Sequence, residues 1–398
     1  MRAVLSVAAF HLLILLAGPA PAAPATPASE IAVRRLFDKP MDFLFEGIPL
    51  GDILKYFSEV QPGLNIVVGP DVAAAGIDVA SHPVTLKLRR VPIGIALGLV
   101  LGEDLGYVVE PGRVRVATRE KLLEEVASKN YPVQALAARM GPAAGPALAG
   151  LPDVVKLAVD HRFDPLVAVW NDEGGSGACS IQGTVLTVVQ TRRGHEAVAD
   201  LLKDIEQALS GRPAPAVPPT AEGVALAGTR ALLDRNVDVE FAEVPLRGAL
   251  EHLAEVQPGL NFVIDPAVPA AGVNPDDRRV TLKVRQVPVK SVLDQLVAQD
   301  LGWAARPGHV LVTTRQKAHG DLAPAVLPLP RAAGRPADAA AVIETIRQMV
   351  RGGRGGVAEW RADGGPADLL EFGSVLIVVQ TPEGQQKVKE MLGRMPRR

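Results

Sequence analysis

Apolar residues recur along the chain with two alternating periods. Leu50, Ile53, Leu54, Phe57 and Val60 fall at helical spacing directly after Pro49, a residue suited to a helix start. Ile93, Ala96, Leu97, Val100 and Leu101 do the same after Pro92. Between these helices, residues 65–68 and 84–88 predict short strands, the second alternating, and residues 107–110 and 113–117 flank Pro111-Gly112 as a hairpin. The order is βαββαββ, a small α+β sandwich with two helices on sheets. Further on, Tyr131-Pro132-Val133 opens a short strand and a helix-length region leads to a strand at Trp170. Residues 185–189 form a buried apolar strand, and Val198, Leu201, Leu202 and Ile205 mark a closing amphipathic helix. That second module reads βαββα, with Gly174-Gly175 connecting the Trp strand to the Val strand.

The pattern then starts again. Shifted by 196 residues, positions 36–119 align with 232–315 without a gap, and 37 of those 84 positions are identical, which identifies an internal duplication. Glu59-Val60-Gln61-Pro62-Gly63-Leu64-Asn65 returns as Glu255-Val256-Gln257-Pro258-Gly259-Leu260-Asn261, and Val84-Thr85-Leu86-Lys87 as Val280-Thr281-Leu282-Lys283. At an offset of 190, Trp170 matches Trp360, Gly174-Gly175 matches Gly364-Gly365, and the strand ending in Gln190-Thr191 matches the one ending in Gln380-Thr381. The expected organisation is a first module at 34–120, a second at 130–209, a linker at 210–228 rich in proline, and the same pair again at 229–320 and 325–396.

Residues 1–25 precede this scheme. A basic head at Arg2, an apolar run over 3–17 and small residues around Ala20-Pro21-Ala22 form a secretory signal, with cleavage at Ala22 or Ala25. The run is shorter than the roughly 20 residues of a membrane span. The expected mature protein is therefore exported, periplasmic or secreted, and open to association with the outer membrane. Composition agrees with globular modules: 48% hydrophobic, 22% charged and a net charge of −2, which gives no general attraction to nucleic acid. The single cysteine, Cys179, has no disulfide partner in the chain and aligns with Leu369, so it reads as an apolar filler.

The residues Phe45, Pro49-Leu50, Leu54, Gly63-Leu64-Asn65, Val84-Thr85-Leu86, Val91-Pro92, Leu97 and Leu105-Gly106-Tyr107 resemble the short N-terminal domain (STN) shared by secretins and TonB-dependent receptors. The second module, ending in Val-Val-Gln-Thr before a helix, is similar to the ring-building domains that follow it in secretins. No strand-rich pore or barrel region is expected with them. The resemblance implies a module contacting other envelope proteins, including secretin or TonB-type assembly components, as an adaptor or accessory component in secretion or signalling. It leaves self-association open.

Candidate chemistry is sparse. The seven histidines form no metal-spaced pair, Gly-x-Ser-x-Gly is absent, and Gly174-Gly175-Ser176-Gly177 lacks the Lys-Ser/Thr of a phosphate loop. His195, matched by Gln385, reads as a polar residue at a helix start, and the glycine-rich stretch 351–356 as a loop. No catalytic, metal or cofactor residues are expected, and the chain is expected not to be an enzyme. Trp170 and Trp360 are either core packing or exposed anchors for a partner. Val84, Leu86, Val280 and Leu282 mark candidate sheet edges to which a partner strand could add. Asn65 and Asn261 are expected to fix the turn after Pro-Gly. The competing reading is a periplasmic sensor that binds a ligand or glycan in the cleft between the two modules of a unit.

Overall fold

The computed structural model describes residues 30–141, 144–160, 164–210, 221–297, 300–319, 322–332, 335–336, 338–351 and 357–395. The stretch 1–25 expected to be a signal, the front of the expected linker and residues 352–356 of the glycine-rich stretch lie outside them. The architecture is α+β, with helices packed on several small sheets.

Each first-type module holds two sheets. Pro40–Pro49 pairs antiparallel with Pro83–Pro92 as a two-stranded ribbon. Ile66–Val68 runs parallel to Arg113–Thr118, which pairs antiparallel with Leu105–Glu110. The copy repeats this with Asn236–Pro245 against Arg279–Pro288, and with Phe262–Ile264, His309–Thr314 and Leu301–Arg306. The prolines act as the pattern predicts. Pro49, Pro92, Pro245 and Pro288 each close a strand and precede a helix with φ between −57 and −54. Proline cannot donate to a ladder, and its fixed φ suits entry into a helix. The helices Leu50–Val60 and Ile93–Leu101 then bury Leu50, Ile53, Leu54, Phe57, Ile93, Ala96 and Leu97 against the strands. Each fully buried Leu, Ile or Phe side chain among them contributes roughly 1.5–3 kcal/mol.

Both ribbons carry the same irregularity. The register shifts opposite Asp42 and again opposite Asp238. Arg90 (φ 56) and Gln286 (φ 53) turn left-handed there. Their N–H groups donate to Asp42 Oδ1 and Asp238 Oδ1, each at 2.7 Å. These are β-bulges, in which an extra residue kinks one strand and leaves the ladder locally unpaired.

In the second-type module the sheet order is Ala127–Pro132, Val185–Gln190, Ala178–Gln182, all antiparallel. Trp170 lies outside the strands: it makes one bridge to Gly177, and the strand preceding the Val hairpin is Ala178–Gln182. The opening strand begins at Ala127 rather than Tyr131, because its polar residues Ser128, Lys129 and Asn130 are exposed and carry no apolar alternation. Three short helices, Gln134–Met140, Ala144–Ala149 and Leu151–Ala158, replace the one long helical region. The first ends at Gly141 with φ 61, a left-handed conformation glycine adopts at little cost. Among the described residues of the second copy, one α-helix stands there, Ala339–Met349.

The expected linker is corrected in its second half. Ala221–Leu233 is helical and buries Thr229 and Leu233. The prolines end at Pro219, which leaves the following residues free of helix breakers.

Candidate interaction surfaces

The glutamine of each Val-Val-Gln-Thr run organises the second-type module from within. Gln190 Oε1 accepts from Ala168 N–H (2.7 Å) and Thr191 N–H (2.8 Å), while its Nε2 donates to the Ala168 carbonyl (2.8 Å). Gln380 repeats all three bonds with Ala358 and Thr381 at 2.8–2.9 Å. The side-chain amide thus stands where a neighbouring strand's peptide would, satisfying buried backbone groups. Gly194 and Gly384 permit this, since a Cβ there would meet the glutamine Cγ at 2.2 and 2.1 Å. Trp170 and Trp360 are each only 1% exposed. Their indole N–H groups donate to the Val159 and Val350 carbonyls at 2.8 and 2.7 Å. An exposed-anchor role is therefore corrected: both indoles fill the core beside the glycine turn, where no partner reaches them.

Val84, Leu86 and Leu282 are half-buried against their own module cores, and Val280 is buried. Their side chains point inward, so any partner at these strands meets backbone and the alternate residues. A shallow groove of about 800 Å³ borders Arg279, Val280 and Leu282 together with Asn274 and Gln295. A second, of about 580 Å³, lies where Arg119, Glu120 and Leu123 of the first module meet Ser176 of the second.

Among the described residues, three of the junctions between modules have distinct chemistry. In the first unit, Glu30 and Arg34 of the opening helix meet Arg192 and Glu196 of the closing helix in a cluster of ion pairs. Burial alone would raise the Glu30 carboxyl, but the Arg192 and Arg34 guanidiniums outweigh it and hold Glu30 below the ordinary carboxylate range.

The second junction is apolar. Val326, Leu370, Phe372, Val375 and Ile377, from the sheet of the last module, join the core of the earlier second-type module. They lie beneath its helices Leu151–Ala158 and Arg192–Ser210. As a result every residue of Val375–Gln380 is buried. In the first copy the matching sheet face carries Asn130, Ser180, Gln182, Val185 and Thr187, and it faces outward.

The third junction was not legible as an interface in the sequence. Asn261 Oδ1 accepts from Arg89 N–H at 2.8 Å, and its Nδ2 donates to the Arg89 carbonyl at 3.0 Å and the Gly308 carbonyl at 2.8 Å. Asn261 therefore does more than fix a turn: one carboxamide of the second first-type module grips the bulged strand of the first. Val263 packs onto the first module's core, and Gly308 lies so close that a Cβ would meet Val91 at 3.3 Å. Lys317 bridges Glu103 (2.9 Å) and the buried Asp265 (3.0 Å). Burial raises the Asp265 carboxyl, but the Ala267 N–H, Lys317 and Thr313 outweigh it and leave Asp265 below its usual range. The expected edge at 84–88 is used a few residues further along, at Arg89, because the bulge turns peptide groups outward there. Asn65 occupies the same sequence block as Asn261 yet stands exposed, so the repeat alone could not distinguish the two.

Beside this junction His309 is buried, with Nδ1 3.1 Å from the Pro307 carbonyl. Burial pushes its pKa down to about 4, Arg306 adding to the shift while the Pro307 carbonyl opposes it. His195 bridges Tyr131 Oη (3.0 Å) and the Ala127 carbonyl (2.8 Å), and Gln385 reaches the Ala323 carbonyl at 2.6 Å, so both tie a helix start to the first strand. Cys179 packs beside the second core, and burial pushes its thiol up to about 11. Among the described residues no group of three or more His, Cys, Asp or Glu is placed to hold a metal ion, and no helix is long and apolar enough to cross a membrane.

No family model matches the chain, and no curated protein matches it. Among solved structures, one described as "Structure of XcpQN012" is similar at 11% identity over 65% of this chain and 96% of that chain, with a TM-score of 0.17.

Proposed function

We propose that this chain is an exported, non-enzymatic protein–protein interaction protein, an adaptor or accessory component of an envelope assembly for secretion or signalling. The observation that carries this reading is the junction at Arg89. There a first-type module binds another module through backbone groups exposed by a bulge, reading the peptide rather than any particular side chain. Strand-edge recognition of this kind draws affinity from main-chain hydrogen bonds. The same bulge recurs at Arg285 and Gln286, and two tethered modules raise local concentration when both engage. The STN-like residues of both copies and the signal-like opening support partners in the envelope, among secretin or TonB-type components.

The test is crosslinking in the source cell from photoreactive residues at exposed Lys87 and Lys283, followed by identification of the adducts. Recovery of the same envelope protein from both positions is expected. Adducts only with abundant bystander proteins, or activity of the purified chain on envelope polymers, would overturn the reading.

A further inference from the structure

Both halves of the Arg89 junction occur a second time, at positions left exposed among the described residues. Asn261, Val263, Pro307 and Gly308 form the gripping face of the second copy, and Asn65, Val67, Pro111 and Gly112 are the identical residues at the matching positions of the first. Asn65 is exposed and Val67 is 37% exposed, whereas Val263 packs onto the neighbouring module's core. On the other side, the gripped segment Arg89-Arg90-Val91-Pro92 returns as Arg285-Gln286-Val287-Pro288. It keeps the same bulge, with a left-handed residue at the matching position, Gln286 for Arg90, and an aspartate, Asp238 for Asp42, accepting from its N–H. Arg285 is exposed, and among the described residues no side-chain amide stands against it.

A contact between two different patches, with one of each left over, is heterologous and can be continued by another molecule. We propose that the chain associates head to tail with a second copy of itself, the Asn65–Val67–Gly112 face of one molecule seating on the Arg285 bulge of the next. This goes beyond the adaptor reading and does not depend on it. The residue identities commit the occupant: at these four positions the open face carries the residues of a face that already holds the matching strand within the chain. Several differences make the contact between chains weaker than the one within it, among them Gly69 at the position of Asp265. Lys121, at the position of Lys317, pairs with Glu124 of its own helix rather than reaching across. The polar underside of the first second-type sheet, with Asn130, Ser180 and Thr187, also lacks the apolar residues by which the C-terminal modules stack. Association is then confined to the first-type modules and is concentration-dependent, as for small transient interfaces.

Sedimentation velocity of the purified chain over a concentration series tests this. The wild type is expected to shift to larger species as concentration rises. Val67→Asp and Asn65→Ala, both at exposed positions, are expected to weaken the self-association at least about tenfold, or 1.4 kcal/mol. Arg285→Pro removes the gripped N–H and is expected to act the same way, with thermal melting confirming that it folds. The decisive arm mixes Val67→Asp, blocked at one face, with Arg285→Pro, blocked at the other. Each alone stays monomeric, and the mixture forms a dimer and nothing larger. Thr187→Asp, on the sheet underside, leaves association unchanged. A wild type that stays monomeric throughout, blocked variants that still assemble, a mixture that gives no dimer, or an effect of Thr187→Asp would each overturn the proposal. Because only the purified chain is used, none of these outcomes bears on whether an envelope partner is crosslinked.

Discussion

The two second-type sheets have the same three strands in the same order, yet they differ in what lies beneath them. Under Val375–Gln380 the face carries Leu370, Phe372, Val375 and Ile377 and is covered by helices of the earlier module. Under Val185–Gln190 the matching positions are Ser180, Gln182, Val185 and Thr187, and none of the described residues forms such a cover over them. The difference teaches that duplication copied the fold while the surfaces diverged according to neighbour. A sheet with one wet face alternates, and a sheet covered on both faces becomes a continuous apolar run. Val185-Leu186-Thr187-Val188-Val189 and Val375-Leu376-Ile377-Val378-Val379 differ by one polar residue in that run, and that residue sits where the covering helices begin or do not.

The most direct way to break the comparison is to charge each underside in turn. Ile377→Asp places an unpaired carboxylate in a buried apolar junction and is expected to cost about 3–5 kcal/mol, whereas Thr187→Asp on the outward face is expected to stay within about 0.5 kcal/mol. Denaturant unfolding of the two variants checks both. Equal effects would mean that the two sheets are equally covered.

His309 and Arg113 extend the contrast to the hairpins, since they occupy matching positions. Arg113 is exposed and paired with Glu110 at 2.6 Å, while His309 is buried and neutral. With a folded pKa of about 4 against an ordinary value near 6.5, the unfolded chain binds the extra proton first as pH falls. Stability is therefore complete above about pH 6.5 and declines as pH drops towards 4, by about 3 kcal/mol in all. His309→Gln should flatten the melting temperature across that window; an unchanged slope would place the acid sensitivity elsewhere.

The two asparagines sharpen the comparison at smaller scale. Asn261→Ala is expected to cost about 1–2 kcal/mol and to speed hydrogen exchange of the Arg89 amide, while Asn65→Ala has no measurable effect on either. The smallest effect is expected at the lone thiol. Cys179→Leu copies the residue at position 369 and should change stability by less than about 1.5 kcal/mol, with equilibrium unfolding as the readout.

Much of the fold was legible because its punctuation is chemical. Proline at 49, 92, 245 and 288 marks where strands hand over to helices, and the duplication let each module be read twice. The failures share a physical cause. Ala127–Pro132 and Ala221–Leu233 derive their order from what they lie against rather than from an apolar period of their own, and local periodicity carries no trace of such support. The indoles of Trp170 and Trp360 fit a core or a partner site equally well as residue types, and only their burial decides between the two. Asn261 was hidden differently. Its identity with Asn65 made it look like a turn residue, because what distinguishes it is a neighbour 172 positions away.

On residue 89 the carboxamide of Asn261 hydrogen-bonds only to the backbone, so the identity of that side chain is invisible to it. Over evolutionary time position 89 can drift through almost any residue without loosening the joint. Proline, which has no N–H to offer, is the one substitution forbidden by chemistry rather than by size. The surface that a rival would have to imitate is therefore a backbone shape, held in place by Asp42 from the opposite strand, and selection would act on that aspartate more strongly than on the residue being held.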